Sequence, residues 1–195
     1  MAVATFTALA RIYRAGGTHP ARWNQFREQG PVATARFDPH PVHREGSRRG
    51  RGTAGEAVLY AATDLRTCLA EAFQATRVVD RRTGRPYLSV WRPARTLRLL
   101  DLAGTWPTRA GASQAISSGP RDRAREWARA IRAALPDIDG LWYRSSMDSG
   151  NPAVCLWAPA RDAMPEVPLL NQPLDASALA LPLVRMARRL GYRLL

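Results

Sequence analysis

The chain of 195 residues is 46% hydrophobic and 23% charged, enough apolar material for one core of ordinary domain size, which excludes a disordered chain and a disulfide-stapled miniprotein. Its net charge of +13 rests entirely on arginine, with no lysine anywhere, and calls for an anionic partner, although G+C-rich coding also yields such a set. Cys68 and Cys155 stand alone, far from metal-ligand spacing; no stretch reaches the roughly 18 apolar residues of a membrane span, and residues 1–10 lack the basic start of a signal peptide, so a soluble cytoplasmic protein without a structural metal is expected.

Residues 10–14 alternate apolar and basic side chains and predict a strand that ends at Gly16-Gly17. From 36 to 55 the row RFDPHPVHREGSRRGRGTAG has almost no large apolar residue after Phe37, which predicts a long loop able to close over a ligand. Residues 58–62, VLYAA, read as a strand, and Thr63 or Asp64 can cap the helix that follows. That helix, 65–75, places Leu65, Cys68, Leu69, Ala72 and Phe73 on one buried stripe, with Glu71 at its edge.

Strands are expected at 87–92 and 96–102, bounded by Pro86, Pro93 and Gly104. Ser117-Ser118-Gly119-Pro120 opens a second helix that Pro136 ends. One of its faces holds Ala124, Trp127, Ala128, Ile131 and Leu135; the other holds Arg121, Arg125, Arg129 and Arg132, read as a solvated face partly paired with Asp122 and Glu126. Strands at 140–146 and 153–158, a helix at 183–190 stopped by Gly191, and a final strand at 192–195 complete the pattern. Short strands mixed with three helices, in no regular alternation, indicate a single-domain α+β fold.

A strand running into a helix can bring Tyr60 and Glu71, eleven residues apart, to one cleft. DGLWYRSS, residues 139–146, reads as a turn into a strand that ends in two hydroxyls. Taken in order, the basic strand with YR, the ARF segment, VLYAATDLRTCLAE and DGLWYRSS resemble the RES domain over roughly residues 10–160, with the helix and strand of 182–195 packing on it as part of one domain, 1–195. On this resemblance Tyr60 and Glu71 fall on the family tyrosine and glutamate, Arg36 on the family arginine and Ser145 on the family serine. Arg14 takes a second basic position and Ser146 stands beside Ser145. ARF is separated from Tyr60 by the arginine-rich loop, where the family has a GRW segment close to its tyrosine strand, so Arg48, Arg49 and Arg51 stand as alternatives to Arg36.

The resemblance implies a mixed β-sheet core with flanking helices, like ADP-ribosyltransferases, in a toxin of a bacterial toxin–antitoxin module. The implied activity is cleavage of the nicotinamide–ribose bond of NAD, by hydrolysis or phosphorolysis, or ADP-ribose transfer to a protein acceptor. NAD enters as substrate, no cofactor or metal is needed, and the expected partner is an Xre-type antitoxin in an oligomeric complex, an acidic segment of which can meet the arginine loop. In that chemistry arginine binds the diphosphate through paired hydrogen bonds, Glu71 stabilises the oxocarbenium-like ribose, Tyr60 orients nicotinamide, and Ser145 or Ser146 hydrogen-bonds the substrate. Two other classes explain less. A nucleic-acid-binding domain accounts for the charge but brings no helix-turn-helix or zinc pattern, and a nuclease would rely on His19, His40 or His43, of which two lie in the proline-rich loop with no evident orienting partner.

Overall fold

The computed structural model describes residues 2–5, 7–42, 55–148 and 150–195; His43, Arg48, Arg49 and Arg51 lie outside the described residues. In chain order the elements are β1 (Ala2–Val3), β2 (Leu9–Arg14), β3 (Val58–Ala62), α1 (Leu65–Ala72), β4 (Val78–Val79), β5 (Pro86–Trp91), β6 (Leu97–Asp101), α2 (Trp106–Arg109), α3 (Ala115–Ser118), α4 (Arg121–Ala134), β7 (Gly140–Arg144), β8 (Pro152–Trp157), a 3-10 turn (Ala158–Ala163), β9 (Leu170–Pro173), α5 (Ser177–Leu190) and β10 (Arg193–Leu194). Eight strands form one sheet in the order β1-β6-β7-β8-β3-β2-β5-β9, antiparallel except where β6 runs parallel to β7. β10 pairs parallel with β4 in a small second sheet. This is the α+β class expected.

The joints between strands are unequal. β3 runs in register with β8 from Val58 opposite Trp157 to Ala62 opposite Ala153, and β2 with β5 from Leu9 opposite Trp91 to Arg14 opposite Pro86. β2 and β3 themselves meet only where Ala10 faces Ala62. The sheet is therefore two well-paired halves joined at a narrow seam. Along β3 the strand period puts Leu59 and Ala61 into a core with Leu9, Trp91 and Leu156 on one face. On the other face, Val58 and Tyr60 pack in the core that α4 closes with Ala124, Ala128 and Ile131. Ala62 and β2's Ala10 belong to a third core, under α1 (Cys68, Leu69) and α5 (Leu183, Ala187). The two helical covers leave the seam between them.

Asp139 and Gly140, the first residues of DGLWYRSS, serve the fold. The fully buried Asp139 takes Arg95 Nη2 and Nη1 on its two oxygens at 2.8 and 2.9 Å, and the Arg98 N–H at 2.7 Å. Gly140 has φ +150, and a Cβ there would stand 2.0 Å from the Cys155 carbonyl oxygen, so only glycine lets β7 lie this close to β8.

Several expectations are corrected. α5 begins at Ser177, ahead of Pro182, because the buried stripe Leu179, Leu183 and Ala187 holds a helix through a proline that reads as a start. Leu135 is 38% exposed and lies beyond the end of α4. The arginine face of α4 is only partly a solvated stripe: Arg125 donates to the carbonyls of Ala33 and Ala35, Arg132 pairs with Glu56, and Arg121 reaches Gln74, while the ion pair within the helix is Arg123–Glu126. That face ties down the loop before Arg36. β9, the short α2 and α3, and the 3-10 turn carry no period long enough to read.

Removing a partner from a buried ion pair leaves a desolvated charge uncompensated. Arg95→Ala is expected to lower unfolding stability by about 3 kcal/mol in urea titration; a loss below about 1 kcal/mol would show that Asp139 is satisfied without it.

Candidate active site

Glu71 is placed by the first turn of α1. Asp64 caps the helix by accepting from the Thr67 N–H at 3.0 Å, and the Thr67 hydroxyl donates to Asp148 Oδ2 at 2.7 Å. Asp148, in the turn between β7 and β8, also receives Arg66 Nε and Asn151 Nδ2, each at 3.0 Å. Burial opposes charge on Asp148, but these bonds outweigh it and hold the carboxyl below its usual range. The start of α1 is thereby fixed to the β7–β8 turn.

One helical turn on from Thr67, Glu71 faces the same turn, and Ser145 Oγ donates to its Oε1 at 2.6 Å. Ser145 is buried and accepts from the N–H groups of Met147 and Asp148 at 3.1 and 3.2 Å, so its proton is directed at the carboxylate. Burial raises the Glu71 pKa by more than the Ser145 bond and the charges of Arg36 and Arg121 lower it.

Glu71 opens on a cleft of about 690 Å³ lying over the β2–β3 seam and lined by Arg11, Arg27, Arg36, Arg121, Tyr60 and Ser146 among others. Volumes of this size accommodate nucleotide-sized ligands. Arg36 donates from Nη1 to the Gly119 carbonyl at 2.5 Å. The Tyr60 hydroxyl accepts from the Phe37 N–H at 3.1 Å, and burial pushes its pKa well above the ordinary phenol value. Tyr60 thus holds the segment that carries Arg36. Behind it the buried Asp38 pairs with Arg27 at 2.8 Å, accepts from the Val32 N–H at 2.9 Å and binds His40. Burial acts to raise the Asp38 pKa, but the bonds from His40 and Val32 and the Arg27 charge prevail and bring it to about 2.

Of the residues singled out from sequence, Glu71, Tyr60, Arg36 and Ser146 line one cleft, and Ser145 contributes through its bond to Glu71. Arg14 lies elsewhere, lining a separate pocket of about 130 Å³ with Ala72, Phe73 and Pro86. Arg11, Arg27 and Arg121 enter the cleft without having been marked as site residues. β2 carries arginines at 11 and 14, an odd spacing that sends them to opposite faces, and only the fold decides which of them meets the cleft. His40 is buried, with Nδ1 on Asp38 and Nε2 at 2.9 Å from the Glu28 carbonyl, so it is a structural histidine that cannot reach a substrate. Among the described residues no cluster of three His, Cys, Asp or Glu is arranged to hold a metal, and no helix is long and apolar enough to cross a membrane.

A mixed sheet parted over a cleft with one desolvated glutamate and several arginines defines an α+β protein with an arginine-lined, carboxylate-bearing cleft. The chain belongs to the RES domain family, whose family model matches residues 7–179. Among curated proteins no sequence match is found. Among solved structures, a chain of the crystal structure of the M. tuberculosis MbcT–MbcA toxin–antitoxin complex is similar, with a TM-score of 0.53 and 14% identity over 87% of this chain and 85% of that one. At that identity the likeness is one of fold.

Because burial sets the folded pKa of Glu71 above the unfolded one, stability is lost as pH rises from the unfolded value through the folded value and stays lost above it. Glu71→Gln, uncharged throughout, is therefore expected to melt above wild type at pH 7, with the gap closing in acid; a lower melting temperature at pH 7 contradicts this. Ser145→Ala removes a bond that favours the carboxylate, so the Glu71 carboxyl, followed by its carbon NMR shift, is expected to titrate at still higher pH.

Proposed function

We propose that the chain is the toxin of a toxin–antitoxin pair and that it breaks the nicotinamide–ribose bond of NAD. The observation that carries the reading is the desolvated carboxylate of Glu71, held on one oxygen by Ser145 and facing a cleft lined with arginines. Family membership and the fold shared with one chain of a toxin–antitoxin complex support the toxin assignment.

As the glycosidic bond lengthens, positive charge builds on the ribose, and a carboxylate desolvated in advance stabilises that charge more than it stabilises the ground state. Ser145 occupies Oε1 and prevents the side chain from turning away, while Oε2, which Gln74 Nε2 meets only at 3.5 Å, is left for the ribose hydroxyls. Nicotinamide leaves as a neutral group, so no second acid is required. Arg36 binds the diphosphate, and Tyr60, its hydroxyl committed to the Phe37 N–H, offers its ring as the wall against which nicotinamide lies. Water or inorganic phosphate then takes the ADP-ribosyl group, with no cofactor beyond the substrate. An antitoxin silences the enzyme by covering this cleft.

Nicotinamide release by the purified chain, with and without inorganic phosphate, tests the reading. Wild type is expected to consume NAD, Glu71→Ala to stop turnover while remaining folded, and Arg36→Ala to raise KM about tenfold. Since Glu71 must be charged, kcat/KM is expected to fall on acidification at a pH above the ordinary glutamate value of 4.5. A folded wild-type chain that leaves NAD intact, or a Glu71→Ala variant with normal turnover, overturns it.

A further inference from the structure

The four cleft arginines are not equivalent. Arg27 is neutralised by Asp38, and Arg11 gives Nη1 to the carbonyls of Trp23 and Gln25 at 3.1 and 3.0 Å. Arg11, Arg36 and Arg121 have no carboxylate within ion-pair distance among the described residues, and of these Arg36 and Arg121 are the two that line the cleft where their charges act on Glu71. Their charges oppose each other: after burial, Arg121 is the largest influence lowering the Arg36 pKa.

Arg121 is held by a neutral group. Its Nη2 donates to Gln74 Oε1 at 2.8 Å, while Gln74 Nε2 donates to the Glu71 carbonyl at 3.0 Å. One side chain just past α1 thus fixes Arg121 relative to Glu71 yet leaves its charge intact, whereas a glutamate there would cancel it. Two fixed guanidinium groups with no carboxylate at ion-pair distance form an anion site, and their planar forks fit pairs of phosphate oxygens.

We propose that Arg121 joins Arg36 in a two-arginine clamp on the diphosphate of a dinucleotide, and that Gln74 is a positioning residue that aims Arg121 without discharging it. The clamp rests on the NAD reading and adds to it a substrate-binding residue from α4 and the reason for a glutamine at position 74. Gripping the diphosphate, which is attached at the 5′ oxygen of the ribose and away from the reacting carbon, serves binding more than bond breaking, so its signature falls on KM.

The test measures KM and kcat by nicotinamide release, and ADP-ribose binding by isothermal titration, for wild type, Arg121→Ala, Arg121→Lys and Gln74→Glu. Arg121→Ala is expected to raise KM and weaken ADP-ribose binding about tenfold to a hundredfold, with kcat little changed. Arg121→Lys recovers part of the loss, since lysine keeps the charge and lacks the fork. Gln74→Glu weakens ADP-ribose binding although its new ion pair leaves the melting temperature no lower than wild type. Unchanged KM and ADP-ribose affinity in Arg121→Ala, from a chain that consumes NAD, overturn the clamp and leave the reaction standing. Equal or tighter ADP-ribose binding by Gln74→Glu overturns the role of Gln74. If wild type leaves NAD intact, Arg121-dependent ADP-ribose binding still upholds the clamp, and absence of ADP-ribose binding overturns it.

Discussion

The buried carboxylate of Asp148 is the joint on which the site depends. It gathers the Thr67 hydroxyl, the Arg66 guanidinium and the Asn151 amide, and so binds the first turn of α1 to the turn between β7 and β8. Those two segments are far apart in sequence and supply the two halves of the Ser145–Glu71 bond. A shift of either would part a hydroxyl and a carboxylate that lie 2.6 Å from each other. Helix geometry does the rest, since Thr67 and Glu71 stand four residues apart on the same face.

The seam in the sheet explains why a cleft exists there at all. A fully paired β2–β3 ladder would bring α1 and α4 over a continuous surface, with side chains filling the space between them. Pairing only at Ala10 and Ala62 leaves room that the loop before Phe37 borders instead, and that loop is tied at both ends of its arginine: Arg36 to the Gly119 carbonyl, the Phe37 N–H to Tyr60. Tyr60 and Tyr143 form part of the wall of the cleft. Burial, more than any neighbouring charge, raises the Glu71 pKa.

Much of the scaffold is legible in sequence because it follows local periods: the strand VLYAA, the Asp64 cap, the apolar stripe of α1 and the strand after Gly140 all declare themselves. Glu71 and Tyr60 are legible as a pair for the same reason, as one strand and one helix in direct succession. What sequence leaves hidden is set by contacts between distant segments. The choice between Arg11 and Arg14 depends on which face of β2 meets the seam, and the entry of Arg121 depends on where the first turn of α4 docks. Asp139 and His40 look chemical in a row of letters. Their burial, with every polar atom engaged by the fold, makes them structural.

Among the described arginines, two kinds of anchoring matter for the site. Arg27, Arg66 and Arg95 face buried aspartates, and the geometry of each pair secures a loop, a helix start or a strand edge. Such arginines are spent on the fold and offer little to a ligand, because their charge is already balanced in a medium that screens poorly. Arg36 and Arg121 are held by a carbonyl and an amide, groups that fix position without forming an ion pair. A surface excess of arginine attracts any anion weakly and indiscriminately. Guanidinium groups immobilised by neutral partners next to a desolvated carboxylate can discriminate where diffuse charge cannot, since a ligand there would have to bring negative charge at one end and tolerate it at the other.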